Sequence, residues 1–273
     1  MRSALVVAAA LLAVTAAGCG GSGGASQPTT TIRQLRQFRV VFPEGFTRRQ
    51  MADRVDVVAK IAERESHRKV KLSRAAYLAA TAKPRLIPGF GKKKLPLEGF
   101  LFPDTYDFDR KSTSAQLVQL QLREFTAKWK TLDLSYARSK NLTPYDVLTI
   151  ASMIEKEAVA PGDRAKVARV IYNRLHLGMT LGIDATIRYA LNIPGTKSLT
   201  QSDLANPTPY NTRLHAGLPP TPIASPGLAS MQAAAHPANG PWLYFVAEPD
   251  KVHSFFTASA EAFNQYKATH GYG

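Results

Sequence analysis

The chain has 273 residues, 45% of them hydrophobic, and this composition excludes an intrinsically disordered protein. Its formal net charge is +15, and the lysines and arginines are spread over most of the chain. Nucleic-acid binding is not expected, because the sequence has no helix-turn-helix signal, no aromatic RNA-binding motif and no zinc-ligand spacing. The histidines show no metal-ligand spacing either, so we expect no metal and no cofactor. A basic surface suits anionic lipid headgroups or an anionic polymer better.

The N-terminus has the pattern of an export signal. A basic residue precedes a mostly apolar run over residues 4–17, which is shorter than the about 20 residues that span a membrane. The four residues ending at Cys19 resemble the lipobox of bacterial lipoproteins, in which the cysteine is lipidated. We therefore predict a signal peptide over residues 1–19, cleaved before Cys19, and a flexible Gly/Ser/Thr-rich tether over residues 20–37. An uncleaved signal-anchor and a simple signal peptide with an incidental cysteine are the alternatives.

Helix and strand signals divide the rest of the chain into two segments. A strand over residues 39–42 and two helices that begin after Thr47 and Ser73 predict a small α/β unit, placed at residues 38–84. A loop rich in proline and glycine follows this unit. It marks the boundary of a second domain at residues 85–273.

The second domain is predicted to be mainly helical and to end in a β-hairpin. Asp163 is a natural N-cap for one of its helices, and a capping-box-like start follows at Thr200. The predicted elements are helices over residues 114–129, 143–158, 163–178 and 225–236, a hairpin of strands 242–247 and 253–257 with a four- to five-residue loop, and a final helix. The sequence therefore predicts the α+β fold class.

The helix over residues 143–158 carries two glutamates at the edges of an apolar stripe. A threonine cap and an acidic residue three positions later fix its register. At about 100° per residue, Glu157 falls beside Ile150 of the stripe, whereas Glu155 lies on the opposite flank. An apolar setting raises the pKa of a carboxyl group toward the range of a general acid. Glu157 is therefore the better candidate acid, although both glutamates could be ordinary charges at the rim of a core helix.

Five short motifs give the second clue. They are Glu-Gly-Phe-Leu-Phe-Pro-Asp-Thr-Tyr from residue 98, Ile-Glu-Lys-Glu-Ala from residue 154, Pro-Tyr-Asn-Thr from residue 209, Gly-Leu-Pro-Pro from residue 217 and Leu-Tyr-Phe-Val-Ala from residue 243. In this order they resemble the signature of the MltG (YceG-like) family of endolytic peptidoglycan transglycosylases. The resemblance runs from about residue 38 to the C-terminus.

The resemblance implies a membrane-anchored enzyme on the outer face of the bacterial cytoplasmic membrane. It would cleave the MurNAc–GlcNAc bonds of nascent peptidoglycan glycan strands and limit their elongation, with cell-wall synthases such as penicillin-binding proteins as partners. One carboxyl group would protonate the glycosidic oxygen and then assist attack of the MurNAc 6-hydroxyl on C1, which leaves a 1,6-anhydro-MurNAc end. By motif this acid is Glu157, with Glu155 as the alternative.

The resemblance also implies a lysozyme-like active-site cleft in the catalytic domain and a partial LysM-like unit at residues 38–84. A set of polar and aromatic residues is expected to contact the glycan or to support the residues that do: Glu98, Asp104, Tyr106, Asp184, Tyr189, Tyr210 and Asn211. Asp104 has an alternative role, in satisfying the backbone amides of a turn. The alternative to an enzyme is a non-catalytic, membrane-anchored lipoprotein that binds peptidoglycan or its synthases.

Overall fold

The structure, a computed structural model, describes residues 36–271. The predicted signal peptide with Cys19, and the predicted tether up to residue 35, lie outside this range. No helix within the described range is long and apolar enough to cross a membrane. The elements are β1 (Phe38–Val41), α1 (Arg48–Ser66), α2 (Arg74–Ala82), β2 (Thr105–Phe108), α3 (Ser114–Trp129), α4 (Ser135–Ser139), α5 (Pro144–Glu157), α6 (Arg164–His176), α7 (Asp184–Leu191), α8 (Gln201–Leu204), α9 (Leu228–Ala235), β3 (Tyr244–Ala247), β4 (Ser254–Thr257) and α10 (Ala260–Thr269). This mixed, mainly helical architecture confirms the predicted α+β class.

The first strand of the small α/β unit pairs outside that unit. β1 is antiparallel to β2, with Val40 opposite Tyr106, and a hydrogen bond from the Phe42 amide to the Asp104 carbonyl at 3.0 Å continues the ladder. The pairing crosses the boundary predicted between residues 84 and 85. Pairing between distant strands is not encoded in either strand alone, so it could not be predicted from the local pattern. The division into a LysM-like unit and a catalytic domain stays a prediction.

Helix α5 is the central helix of the structure. Eight consecutive residues, Val147 to Ile154, are buried, and the helix packs against α6, α7 and α9. The predicted capping box is confirmed, because the Thr143 hydroxyl accepts from the Asp146 amide at 3.2 Å and the Asp146 carboxylate accepts from the Thr143 amide at 2.8 Å. Cap and core together fix the direction in which the last residue, Glu157, leaves the helix.

An aromatic cluster holds the loop of the first motif between α3 and α5. The ring of Phe100 lies 4.8 Å from that of Phe90 and 5.0 Å from that of Phe125, measured between centroids. On its other side the Phe100 ring stacks on Tyr145 at 6.1 Å. Because Phe125 belongs to α3 and Tyr145 to α5, this packing sets the position of the neighbouring Glu98 relative to α5.

Asp163 is the N-cap residue of α6, as predicted, but its side chain makes no capping hydrogen bond. Its carboxylate accepts a hydrogen bond from the Ser254 amide at 2.8 Å and lies 3.5 Å from the Lys166 ammonium. Asp163 is buried, and a buried carboxylate takes the donors that the tertiary structure brings to it. The contact fastens β4 to the start of α6, which ends at His176, two residues earlier than predicted.

The last predicted helix before the hairpin starts later than expected. α9 begins at Leu228 instead of residue 225, because the backbone of Ser225 is hydrogen-bonded to Phe46 and Gly45 and cannot enter the helix. The capping box at Thr200 is confirmed at the start of α8.

β3 and β4 form the predicted C-terminal hairpin. The connection is longer than predicted and covers residues 248–253. Within it the Asp250 carboxylate accepts the amides of Val252 and His253 at 2.8 and 2.9 Å, and this turn takes up the additional residues. The ring of Tyr266 in α10 stacks on Phe255 at 4.3 Å and covers one face of the hairpin.

The fold makes a prediction at Gly99, which has a φ of +86°. A Cβ atom at this position would lie 2.6 Å from Cβ of Pro222. We expect Gly99→Ala to lower the free energy of unfolding by about 2–4 kcal/mol, since an about 1–2 kcal/mol cost of left-handed backbone adds to overpacking. Urea denaturation followed by circular dichroism measures the loss.

Gly91→Ala is the matched control. Gly91 has a similar φ of +84°, but a Cβ atom there would meet no atom within 4 Å. Its loss should therefore be limited to the backbone cost of about 1–2 kcal/mol. Equal losses for the two variants would show that the approach of Pro222 does not constrain residue 99.

Candidate active site

A pocket of about 670 Å³ lies at the C-terminal end of α5. Its walls come from the first turn of α1, the end of α5, most of α7 with the loop after it, the loop before β2 and the segment between α8 and α9. Five residues singled out in the sequence line it: Glu98, Glu157, Asp184, Tyr189 and Tyr210. The fold thus collects acidic and aromatic side chains from four separate parts of the chain.

Glu157 is the last residue of α5 and is partly buried. Removal from water raises the pKa of its carboxyl group to about 7, and the charge of Asp184 acts in the same direction. The backbone amide of Ala185 and the charge of Arg188 oppose this rise. The negative end of the helix dipole also disfavours a carboxylate at this position. The shift has the direction expected from the helical wheel, and it leaves a proton available near neutral pH.

Glu155 lies in a different environment from Glu157. Its carboxylate accepts a hydrogen bond from the Gly227 amide at 3.0 Å, and Gly227 immediately precedes α9. Glu155 does not line the pocket. The contact supports a structural role, in which Glu155 satisfies a free amide at the start of the neighbouring helix.

Glu98 is a second buried glutamate of the pocket, with 6% of its surface exposed. Its carboxylate accepts from the Arg48 backbone amide at 2.9 Å and from the Tyr189 hydroxyl at 3.2 Å. Burial raises the pKa of Glu98 to about 7, and these two hydrogen bonds hold it from rising further. Both of its oxygens are therefore already engaged within the protein.

Two tyrosines form one side of the pocket. The rings of Tyr189 and Tyr210 lie 5.2 Å apart, and the Tyr210 hydroxyl shares a hydrogen bond with that of Thr221 at 2.9 Å. Aromatic faces and hydroxyls in this arrangement suit the apolar faces and hydroxyls of sugars. Asp184, at the start of α7, is held by Arg213 at 2.6 Å.

The structure does not bring Asp104 and Tyr106 to the pocket. Asp104 is exposed and its carboxylate accepts from the Thr105 amide at 2.7 Å, which agrees with the alternative role in a turn. Tyr106 is buried, and its hydroxyl donates to the Phe102 carbonyl at 2.9 Å. Both side chains support the loop that carries Glu98 instead of facing the pocket.

Asn211 is also absent from the pocket wall. It is fully buried, and its side-chain amide donates to the carbonyls of Leu204 and Asn206 at 2.9 and 2.8 Å. These bonds shape the loop that presents the adjacent Tyr210. Motif membership identified Asn211, but the motif carries no information about the direction of a side chain.

Sequence reasoning missed the basic side chains of the pocket. They are Arg48, Arg49, Lys156 and Arg188. A signal for the first two was present, because arginines directly after an N-cap oppose the helix dipole and are not explained by helix stability. Within the part of the chain that the structure describes, no three His, Cys, Asp or Glu residues are placed to hold a metal ion.

A sequence model of the YceG-like family matches residues 24–269 of the chain. The chain belongs to the YceG-like family. The match confirms the resemblance inferred from the five motifs. It also covers every residue that lines the pocket.

Two relatives are named endolytic murein transglycosylase. One, from Bacillus subtilis (strain 168), is 37% identical over 175 residues, which cover 64% of this chain and 48% of the relative. The other, from Streptococcus pneumoniae (strain ATCC BAA-255 / R6), is 32% identical over 252 residues, covering 85% of this chain and 44% of the relative. The chain thus spans about half the length of these relatives.

A solved structure is similar in fold as well. The crystal structure of a YceG-like protein from Listeria monocytogenes aligns with a TM-score of 0.69 at 31% sequence identity. The alignment covers 84% of this chain and 76% of that chain. The similarity in fold therefore extends over most of the chain.

The raised pKa of Glu157 predicts how the pocket affects stability. The folded state holds this proton more tightly than the unfolded state, with a pKa of about 7 against 4.5. The resulting stabilisation is complete below pH of about 4.5 and is lost as the pH rises through about 7. Glu157→Gln has no titrating group at this position, so its free energy of unfolding does not include this loss. We expect its free energy of unfolding, relative to that of the unsubstituted chain, to rise between pH 5 and 8 by up to about 3 kcal/mol.

Urea denaturation of both proteins at pH 5, 6, 7 and 8 measures the difference. Glu98→Gln should show a trend of the same sign, because burial raises the pKa of Glu98 as well. Parallel stability curves for Glu157→Gln and the unsubstituted chain would contradict a raised pKa at Glu157.

Proposed function

We propose that the chain is an endolytic murein transglycosylase that cleaves the MurNAc–GlcNAc bond of peptidoglycan strands. The observation that carries the proposal is Glu157, a carboxyl group with a pKa of about 7 at the wall of a pocket that also contains two tyrosines. The names of the two relatives support the same activity. A non-catalytic lipoprotein would gain nothing from a carboxyl group kept out of water.

The reaction needs one acid that works twice. Protonated Glu157 gives its proton to the glycosidic oxygen as the bond to C1 breaks. The resulting Glu157 carboxylate then accepts the proton of the MurNAc 6-hydroxyl as that oxygen bonds to C1. The product carries a 1,6-anhydro ring, no water is consumed, and Glu157 ends protonated as it began. A second catalytic carboxylate, as used by most glycosidases, is not required.

The other pocket residues would bind and orient the glycan. Tyr189 and Tyr210 offer ring faces to the sugars, while Glu98 and Asp184 offer hydrogen-bond acceptors. The predicted residues outside the pocket would act by positioning: Asp104 and Tyr106 through the loop of Glu98, and Asn211 through the loop of Tyr210. In this proposal the pocket is part of a lysozyme-like cleft.

The predicted signal peptide and the LysM-like unit suggest where the enzyme acts. We infer that lipidation of Cys19 or an uncleaved signal-anchor holds the chain at the outer face of the cytoplasmic membrane. There it would limit the elongation of nascent strands beside the cell-wall synthases. The partial LysM-like unit at residues 38–84 would contribute to glycan capture next to the catalytic domain at residues 85–273.

Digestion of isolated peptidoglycan tests the reaction type. We expect soluble fragments that end in 1,6-anhydro-MurNAc, because the 6-hydroxyl and not water attacks C1. Mass spectrometry distinguishes these ends, which are one water molecule lighter than hydrolytic reducing ends. Reducing ends alone would identify a hydrolase, and binding without cleavage would favour the non-catalytic alternative.

Replacing the two glutamates of α5 tests the acid. Glu157→Gln keeps the shape of the side chain but removes the transferable proton, so turnover should fall by roughly 10²- to 10⁴-fold. Glu155→Gln is the matched control, two residues away on the same helix, with an amide oxygen that still accepts from Gly227. It should retain turnover within about tenfold of the unsubstituted chain, since a conserved hydrogen-bond acceptor costs little.

Release rates from fluorescently labelled peptidoglycan, measured on folded protein, give the comparison between the two variants. An inactive Glu155→Gln beside an active Glu157→Gln would reverse the assignment within the pair. The proposed reaction would remain in place in that case.

A further inference from the structure

The pocket carries more positive charge than a neutral sugar requires. Four cationic side chains line it: Arg48, Arg49, Lys156 and Arg188. The carboxylate of Asp184 forms an ion pair with Arg213 at 2.6 Å, which reduces its effect on the charge of the pocket. With pKa values of about 7, Glu98 and Glu157 are largely protonated below neutral pH. The pocket therefore presents a net positive potential to a ligand.

Three of the four cations are occupied by contacts within the protein. The Arg48 guanidinium donates to the Thr81 hydroxyl at 3.1 Å, and the Arg188 guanidinium donates to two backbone carbonyls. The Lys156 ammonium donates to the Gly45 carbonyl at 3.3 Å. These bonds give each of the three a structural function that would exist without a ligand.

Arg49 is different from these three. Its side chain is exposed at the pocket wall, and within residues 36–271 its guanidinium makes no hydrogen bond or ion pair; its charge acts on the pocket only at longer range, by opposing the rise in the pKa of Glu98. Its charge does not help the helix either, because Arg49 is the second residue of α1, whose first turn has no acidic residue. A carboxylate from a ligand could accept two parallel hydrogen bonds from the Arg49 guanidinium, which is the bidentate geometry that arginine and carboxylate groups favour.

We propose that Arg49 is a specificity-determining residue that binds a carboxylate of the short peptides carried by MurNAc. The inference rests on the proposed function, since such a peptide reaches the pocket only when its glycan occupies it. In an intact strand the carboxyl group of the MurNAc lactyl substituent forms the amide bond to the peptide and carries no charge. The free carboxylates of the polymer are therefore those of the peptide. A cation at the glycan site whose hydrogen-bond donors are not used by the described residues can select them.

Two ligands that differ only in charge test this proposal. They are short peptidoglycan oligosaccharides with the peptide carboxylates free and the same oligosaccharides with these carboxylates converted to amides. Binding is measured by fluorescence anisotropy on the full chain carrying Glu157→Gln, so that the ligand is not consumed. We expect amidation to weaken binding roughly three- to tenfold, the range for one partly solvated, charge-assisted contact.

Adding Arg49→Gln should bring the ratio of the two affinities close to one. The matched control is Arg64→Gln, which removes the same charge from the same helix but does not line the pocket. With Arg64→Gln the preference for free carboxylates should stay unchanged. Higher ionic strength should reduce the preference in the parent and in Arg64→Gln alike.

Equal binding of the two ligands by the parent protein would overturn the proposal, as would an undiminished preference in Arg49→Gln. Competition by soluble poly(glycerol phosphate) as strong as that by the free peptide would also overturn it, because the site would then select any polyanion. The proposed function is tested separately, by cleavage of the same oligosaccharides by the unsubstituted chain. A charge preference without cleavage would remove the enzyme and leave the carboxylate site in place.

Discussion

Burial of α5 is the constraint on which the rest of the structure depends. Its buried segment, Val147 to Ile154, packs against three other helices, so the helix can neither rotate nor slide without opening the core. Glu157 is the last residue of this helix, so the fixed position of the helix places Glu157 at the pocket wall. The cost of holding its carboxyl group away from water is offset by the packing of the residues before it. A looser helix would let the carboxyl group return to solvent, and its pKa would fall.

Because α5 is fixed in position, its two glutamates contact different parts of the structure. Two positions on a helix correspond to about 200° of rotation, so Glu155 and Glu157 face nearly opposite sides. One side meets the backbone amide of Gly227 before α9, and the other meets the pocket beside α7. Two identical side chains thus acquire different environments from helix geometry. This also explains why a motif with two glutamates is not redundant.

Local sequence signals predicted the helix and the candidate acid, because capping and periodicity act over a few residues. The capping box at Thr143 and the position of Glu157 beside the apolar stripe are examples. Long-range contacts were not predictable in the same way. The use of Asp163 by β4 and the inward bonds of Asn211 depend on backbone donors and acceptors that only the folded chain brings near. Of the overlooked cations, Arg188 belongs to this second class, whereas Arg48 and Arg49 had a local signal in their position directly after an N-cap.

Two glutamates that line the pocket have pKa values of about 7, and they differ in the hydrogen bonds that their carboxyl groups accept. Glu98 accepts bonds at both oxygens, from the Arg48 amide and the Tyr189 hydroxyl, so a ligand would have to break one of them. For Glu157 the Ala185 amide is the hydrogen-bond donor that acts on its pKa. A carboxyl group with a free oxygen can approach a glycosidic bond, whereas one with both oxygens engaged serves to position its neighbours. This difference supports our proposal that Glu157 is the acid, and Glu98 accepts hydrogen bonds from Tyr189 and from the start of α1 beside it.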